Sequence, residues 1–459
     1  MNRFWLAGTA VAVLSTLTLG GCQRGAQSVD QATRQSTDDS ARVESASDPS
    51  QAAASTNTAP GISVAATADD ADAIGVLEAV GGRLKRDANG NITSIDLTNA
   101  GAADKDLVDL HKLPSLTELK LFGREVTDEG LASVGQIASL ESLSLEKTEF
   151  TDAGLAGLKS LSKLKSINAP LTNITDAGLE HLVELPTLER FMLLRTKVGD
   201  AGMKTLKAAA DRIVLLDLRD SQVTDAGLAH IGEMTKLRSL KLSTQRITDA
   251  GVAHLANLSA LKSLGLDLSG VTDEALPTIG QLTKLEELYL YGCYIKDAGV
   301  QSLVGLTNLK KLRLRETLVS DAGMEVVGRL ANLQILDLSE TNIGDAGVAH
   351  LAKLENLQEL NLWFTQVTDA GAAHIARLTN LTSLNLDKTQ ITDTAIEHIQ
   401  VLTGLTFLHV GSNQLTDTCL DGLSELTNLK DIHLTYCPGI SKEGREKLKA
   451  ALPDTTIRF

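Results

Sequence analysis

The chain has 459 residues, a net charge of −15, 43% hydrophobic but only 3% aromatic residues, and four cysteines. The negative balance excludes a nucleic-acid binder, which needs a concentrated basic face to displace counterions from phosphates. With so few rings the core must be aliphatic, and Cys22, Cys293, Cys419 and Cys437 are too scattered for a disulfide framework or a C-x-x-C zinc pair.

The first predicted element is an export signal. Arg3 precedes an uncharged run from Phe4 to Gly21, the order of a cationic start and an apolar h-region. The run ends in Leu19-Gly20-Gly21-Cys22. This ending resembles the lipobox of bacterial lipoproteins. The resemblance implies removal of residues 1–21, acylation of Cys22, and attachment to a membrane on the exported side, periplasmic or cell-surface. Several acyl chains on one residue anchor stably. The alternative is an uncleaved spanning anchor, for which the run is nearly long enough; the Gly-Gly-Cys ending favours cleavage. Residues 22–70 contain no leucine and no aromatic residue. They cannot bury enough apolar surface to offset chain entropy and read as a disordered tether with a mean reach of about 40 Å.

Residues 71–91, with Leu77, Leu84 and the pair Asn89-Gly90, read as an amphipathic helix and a turn that cap the first of a series of repeats. Over residues 92–440 one pattern recurs. Leu140-x-x-Leu143-x-Leu145 is followed by Thr148, Phe150, Thr151-Asp152-Ala153-Gly154-Leu155, Leu158 and Leu161, and the cycle restarts at Leu164. Its starts fall at Ile92, Leu116, Leu140, Leu164, Leu188, Ile213, Leu237, Leu261, Leu285, Leu309, Leu333, Leu357, Leu381, Leu405 and Leu429, with a degraded copy at Asp454. Period-two leucines predict a strand with one apolar face; the Asp-Ala-Gly-Leu segment and the leucines after it suit one face of a short helix. One strand and one helix cannot bury both apolar faces alone, so the copies must stack. Residues 441–459 form a closing helix and last strand.

These residues resemble the leucine-rich-repeat superfamily, in particular its bacterial ITDAGL-type repeats, akin to ribonuclease-inhibitor and F-box-associated repeats. The fold class implied is α/β: a curved solenoid, or horseshoe, with a parallel β-sheet on the concave face and short helices on the convex face. Such repeats are generic binding scaffolds.

Three rows of residues repeat with the pattern. Fourteen aspartates, from Asp104 to Asp417, stand at the helix starts and, with the threonines just ahead of them, are expected to cap their own helices; calcium is the alternative that a carboxylate row raises. Thr148, Thr172, Thr196 and their counterparts, including Cys293, Asn413 and Cys437, are expected to satisfy amides of the turn after the strand. His181, His230, His254, His350, His374 and His398 share one outer-helix position, expected as a consequence of repetition, with metal binding or pH sensing the alternative. No nucleophile elbow, H-E-x-x-H or phosphate loop is present, so neither enzyme activity, cofactor nor metal is expected.

Function then falls to the concave side chains. Glu287, Tyr289 and Tyr291 are followed one repeat later by Lys311, Arg313 and Arg315, and two repeats further by Trp363 and Phe364. Tyr, Trp and Arg are the residue types enriched at binding hot spots, which points to a ligand site at Tyr289, Tyr291, Lys311, Arg313, Arg315 and Trp363; a coat of mutually packed side chains is the competing reading. His409 and His433 are a second, weaker candidate. The expected partner is a protein or peptide. A glycan stacked on the rings is an alternative, an adaptor role by analogy with F-box proteins another, and the lipid is the only membrane contact.

Overall fold

The computed structural model describes residues 68–459; the signal, Cys22 and nearly all of the tether lie outside the described residues. The chain enters through a helix, Ala71–Ala79, whose first turn is capped by Asp70 accepting the Ala73 amide at 2.9 Å. Ala73 and Leu77 are its buried residues. A strand, Arg83–Arg86, then turns through Asp87–Asn91 and pairs antiparallel with Ile92–Asp96. The turn is held by Asp87 Oδ1, which accepts the amides of Asn89 and Asn91, each at 2.9 Å. Gly90 takes φ 88° there, where a side chain would be strained.

From Ile92 onward every strand pairs in parallel with the next, ending at Thr456–Arg458 in a 17-stranded sheet. All sixteen expected segments form strands, and Arg83–Arg86 is an unexpected seventeenth. Each repeat strand after the first begins two residues after the first leucine of its motif: Leu140 precedes Ser142–Glu146, and Leu285 precedes Glu287–Tyr289. That leucine is nevertheless wholly buried, as are the two that come after it on the strand. The helices that return the chain are short, alternating between α and 3₁₀ segments such as Asp249–Ala253 and His254–Asn257.

Stacking is enforced by a hydrogen-bond relay between repeats. Asp225 accepts the Thr248 amide (2.8 Å) on one oxygen and the Thr248 hydroxyl (2.6 Å) on the other; that hydroxyl in turn accepts the Ala250 amide of its own helix. The same three-way contact recurs, as at Asp152–Thr175 and Asp345–Thr368. Of the threonine and aspartate expected to cap each helix, the threonine does so; the expectation for the aspartate is corrected, since it holds the cap of the next repeat. Both carboxylate oxygens are thereby taken. The glycine of the motif is explained by the same contact, since a Cβ on Gly251 would lie 2.2 Å from Asp225 Oδ1.

The turn after each strand is the second repeated device. Eleven non-glycine residues, among them Lys147, Leu171, Glu340, Phe364 and Lys388, adopt φ of 51–59°, a left-handed conformation that costs roughly 1–2 kcal/mol per residue. The next residue closes the turn: Thr148 Oγ1 donates to Leu145 O at 2.9 Å, and Asn413 Nδ2 donates to Leu386, Val410 and Gly411 carbonyls. The row therefore satisfies carbonyls, not the amides expected. Cys293 and Cys437 do the same with their thiols. These two and Cys419 are buried and free.

The longer step before Ile213 is absorbed by Arg212, whose guanidinium donates to the carbonyls of Val183, Leu185 and Leu188, at and just after the end of the Asp176–Val183 helix of the repeat before.

Two substitutions test this architecture by denaturant unfolding. Gly251→Ala, which raises helix propensity by about 1 kcal/mol in an exposed helix, should destabilise here because of Asp225, and the D225A background should recover part of the loss. Leu171→Gly should raise stability by about 1 kcal/mol by relieving the left-handed backbone.

Candidate functional site

Parallel pairing in register brings equivalent positions of neighbouring repeats side by side. Glu287 lies beside Lys311 and Tyr289 beside Arg313. The Arg313 guanidinium sits 5.3 Å from the Tyr289 ring centre, between Asp267 (3.9 Å) and Asp337 (3.6 Å). On the other side of Tyr289, Lys241 approaches the ring to 6.0 Å across Gly265, the intervening position on the sheet.

Arg315 is the hub. Its guanidinium lies 5.0 Å from the Tyr291 ring and 5.2 Å from the Trp363 ring. Its Nη2 meets Glu340 Oε1 at 2.7 Å, with Nε at 3.0 Å from the same oxygen. Trp363 packs on Phe364 with ring centres 6.2 Å apart, and Lys388 lies 5.4 Å from the one and 5.9 Å from the other. Cations over aromatic faces contribute about 0.5–1 kcal/mol each at exposed sites and more when desolvated. Five of the six candidate residues thus form a ribbon of two groups across four repeats, Tyr289 with Arg313 and Tyr291 with Arg315 and Trp363, bridged by Asp267, which faces Arg313 and accepts the Tyr291 amide. Lys311 stands beside it, 3.9 Å from Glu287.

The ribbon is half-buried, and its protonation reflects that. Burial, then the Glu287 charge, pushes the Tyr289 phenol up, and burial with Glu316 does the same to Tyr291. Both phenols keep their protons at neutral pH. Burial also raises the Asp267 carboxyl, and Asp267 accepts the Tyr291 amide at 2.8 Å.

Glu340 and Lys388 escape sequence reading, and Phe364 is visible there only as the neighbour of Trp363. Glu340, Phe364 and Lys388 occupy the left-handed turn position. The leucine spacing marks them only as connectors, but they extend the ribbon along the edge of the sheet. On the same edge Leu268 (42% exposed), Tyr294 (59%) and Leu318 (49%) come from three successive repeats. Leu268 stands seven residues after its motif leucine, Leu261, as Glu340, Phe364 and Lys388 do after theirs, and Tyr294 and Leu318 stand nine after Leu285 and Leu309; these two offsets are the signal that finds them.

His409 and His433 also meet, their strands paired in register. Their ring centres are 4.7 Å apart at 63°, and Phe407 meets His433 edge-on at 5.3 Å. Burial pushes the His409 imidazole down to about 4 and lowers His433 as well. Two surface depressions lie elsewhere. One of about 670 Å³ is lined by residues including Lys165, Thr187, Arg190 and Arg212, and one of about 570 Å³ by Tyr436, Cys437, Arg445 and Phe459 among others. Among the described residues no helix is long and apolar enough to cross a membrane.

Comparison with known proteins agrees with this architecture. The leucine-rich repeat region profile matches residues 211–449, just over half of the chain, and the chain belongs to the leucine-rich-repeat family. No curated protein matches it. Among solved structures it is similar to a leucine-rich-repeat protein of Leptospira interrogans. The TM-score is 0.53 at 25% identity, covering 76% of this chain and 86% of that one. An internalin of Listeria monocytogenes is similar at a TM-score of 0.49 and 22% identity, with 79% and 94% covered.

If the ribbon acts as one unit, removing its hub should register at its far ends. The only tryptophan among residues 68–459 is Trp363, so Arg315→Ala should change its fluorescence emission while the far-ultraviolet circular dichroism stays the same.

Proposed function

We propose that the chain is an exported lipoprotein, held to the cell envelope through acylated Cys22 and the tether over residues 22–70, whose concave face binds a protein or peptide partner. The reading is of a binding module, not a catalyst. The observation that carries it is the Arg315 hub. One guanidinium orders Tyr291 and Trp363 from repeats that are three steps apart, so a contact area normally assembled at entropic cost is already in place. Preordered aromatic and arginine side chains in a half-desolvated patch are the composition of binding hot spots.

The ribbon and its edge define the partner's chemistry. Leu268, Tyr294, Leu318 and Phe364 give an apolar margin, while the tyrosine hydroxyls and the cations offer donors. A partner segment with apolar side chains and carboxylates, lying across the strands, would meet both. A glycan has less support, because the Tyr289, Tyr291 and Trp363 faces on which a sugar would stack already carry cations.

The test is capture of envelope proteins by the wild-type chain and by a Tyr291→Ala, Arg313→Ala, Arg315→Ala variant. Each lost hot-spot residue costs about 2 kcal/mol or more, so affinity for the captured partner should fall at least 100-fold. Capture at undiminished affinity would place the binding surface elsewhere. Cys22→Ala should in turn release the chain from the membrane fraction.

A further inference from the structure

We propose that His409 and His433 form a binding site for a divalent transition-metal ion at the carboxyl-terminal end of the concave face, one nitrogen from each imidazole serving as ligand.

The two rings stand on adjacent strands, Phe407–His409 and Asp431–His433, at the same register. With metal–nitrogen bonds of about 2.0–2.1 Å, ring centres 4.7 Å apart match one ion held at a ligand–metal–ligand angle of about 95°. That lies between the square-planar and tetrahedral values.

Each ring also has a carboxylate behind it. His409 Nε2 is 3.6 Å from Asp387 Oδ1, and His433 Nε2 is 3.0 Å from Asp431 Oδ1. Asp387 is itself buried, 7% exposed, and reaches His409 over Gly411, where a Cβ would come within 3.1 Å of its Oδ1. The second oxygen of Asp431 is held by Arg458 at 3.0 Å, which leaves the first for His433.

The two Nε2 atoms and Asp431 Oδ1 are buried without a well-directed hydrogen bond. A small turn of each ring about its soft χ2 torsion would align Nε2–H with its carboxylate. The proton then stays on Nε2, which leaves the lone pair of each Nδ1 for an ion. An imidazole that donates its far N–H to a carboxylate is the arrangement that orients metal-binding histidines and raises their basicity. Here a carboxylate stands within reach of Nε2 on each of two neighbouring rings.

Among the described residues no group of three or more His, Cys, Asp or Glu is arranged to hold a metal. Two imidazoles are therefore the contribution of the described residues, and the other positions fall to water or to a donor from a partner. Two nitrogen ligands without a cage favour the ion with the greatest intrinsic affinity, Cu²⁺, over Ni²⁺ and Zn²⁺.

The test is titration of the full chain with Cu²⁺ and Ni²⁺ by calorimetry. His409→Ala and His433→Ala should each weaken binding of the first equivalent at least 10-fold. Asp387→Asn and Asp431→Asn should weaken it about 10- to 100-fold through the ligands they orient. The outer-helix histidines stay in every variant, so equal affinity in the wild type and the double His409→Ala, His433→Ala variant overturns the site. If the variants fold poorly, electron paramagnetic resonance of the wild type with one equivalent of Cu²⁺ decides: two imidazole nitrogens support the proposal, and one or none overturns it.

Discussion

Each aspartate at the head of a helix serves the repeat after its own. Through Asp225 and Thr248 a local signal, the helix cap, becomes a bond between layers, and the threonine hydroxyl is donor and acceptor at once. The rest of the architecture depends on this contact. It fixes the distance at which helices stack, it requires glycine where the carboxylate approaches the next helix, and it keeps successive strands in register. Where the cap is Gly199, Gly344 or Lys296 the hydroxyl is missing, yet the amide still reaches the aspartate. The backbone half of the contact is the constant part.

The concave site inherits its order from that register. Tyr289 meets Arg313, and His409 meets His433, because both members of each pair occupy the same place in their repeats. Charges that would be costly to desolvate singly are balanced within the face: Arg313 between Asp267 and Asp337, Arg315 on Glu340. The mutual packing and the readiness to bind are the same feature here. The aromatic faces are held in position by the cations that cover them.

Much of this is legible in the sequence, for a physical reason. A single period repeated fifteen times averages out the ambiguity of any one short apolar run, so all sixteen parallel strands fall where the leucine spacing puts them. Single-copy features are harder. Arg83–Arg86 has one inward residue, Leu84, among three charges, too short an alternation to read against a neighbouring helix. The direction of hydrogen bonds is also hidden. Thr148 could satisfy amides or carbonyls, and only the left-handed bend at Lys147 decides for the Leu145 carbonyl. The same bend turns Glu340, Phe364 and Lys388 toward the ribbon, which no period-two pattern conveys. For His409 and His433 the shared offset is visible, but the carboxylates behind them come from different offsets, Asp387 and Asp431, and their convergence needs the fold.

The relay between Asp225 and Thr248 also sets how such a chain can change length. A repeat presents at its far end the same acceptor that it engaged at its near end, so a whole unit can be duplicated or excised and the cut faces still match. A single inserted residue has no such match. The one longer step within the run of full-length repeats, before Ile213, needs Arg212 to fasten the exposed carbonyls. Growth of the molecule is thus quantised, and its binding face can be lengthened or re-phased by recombination without redesign of the core.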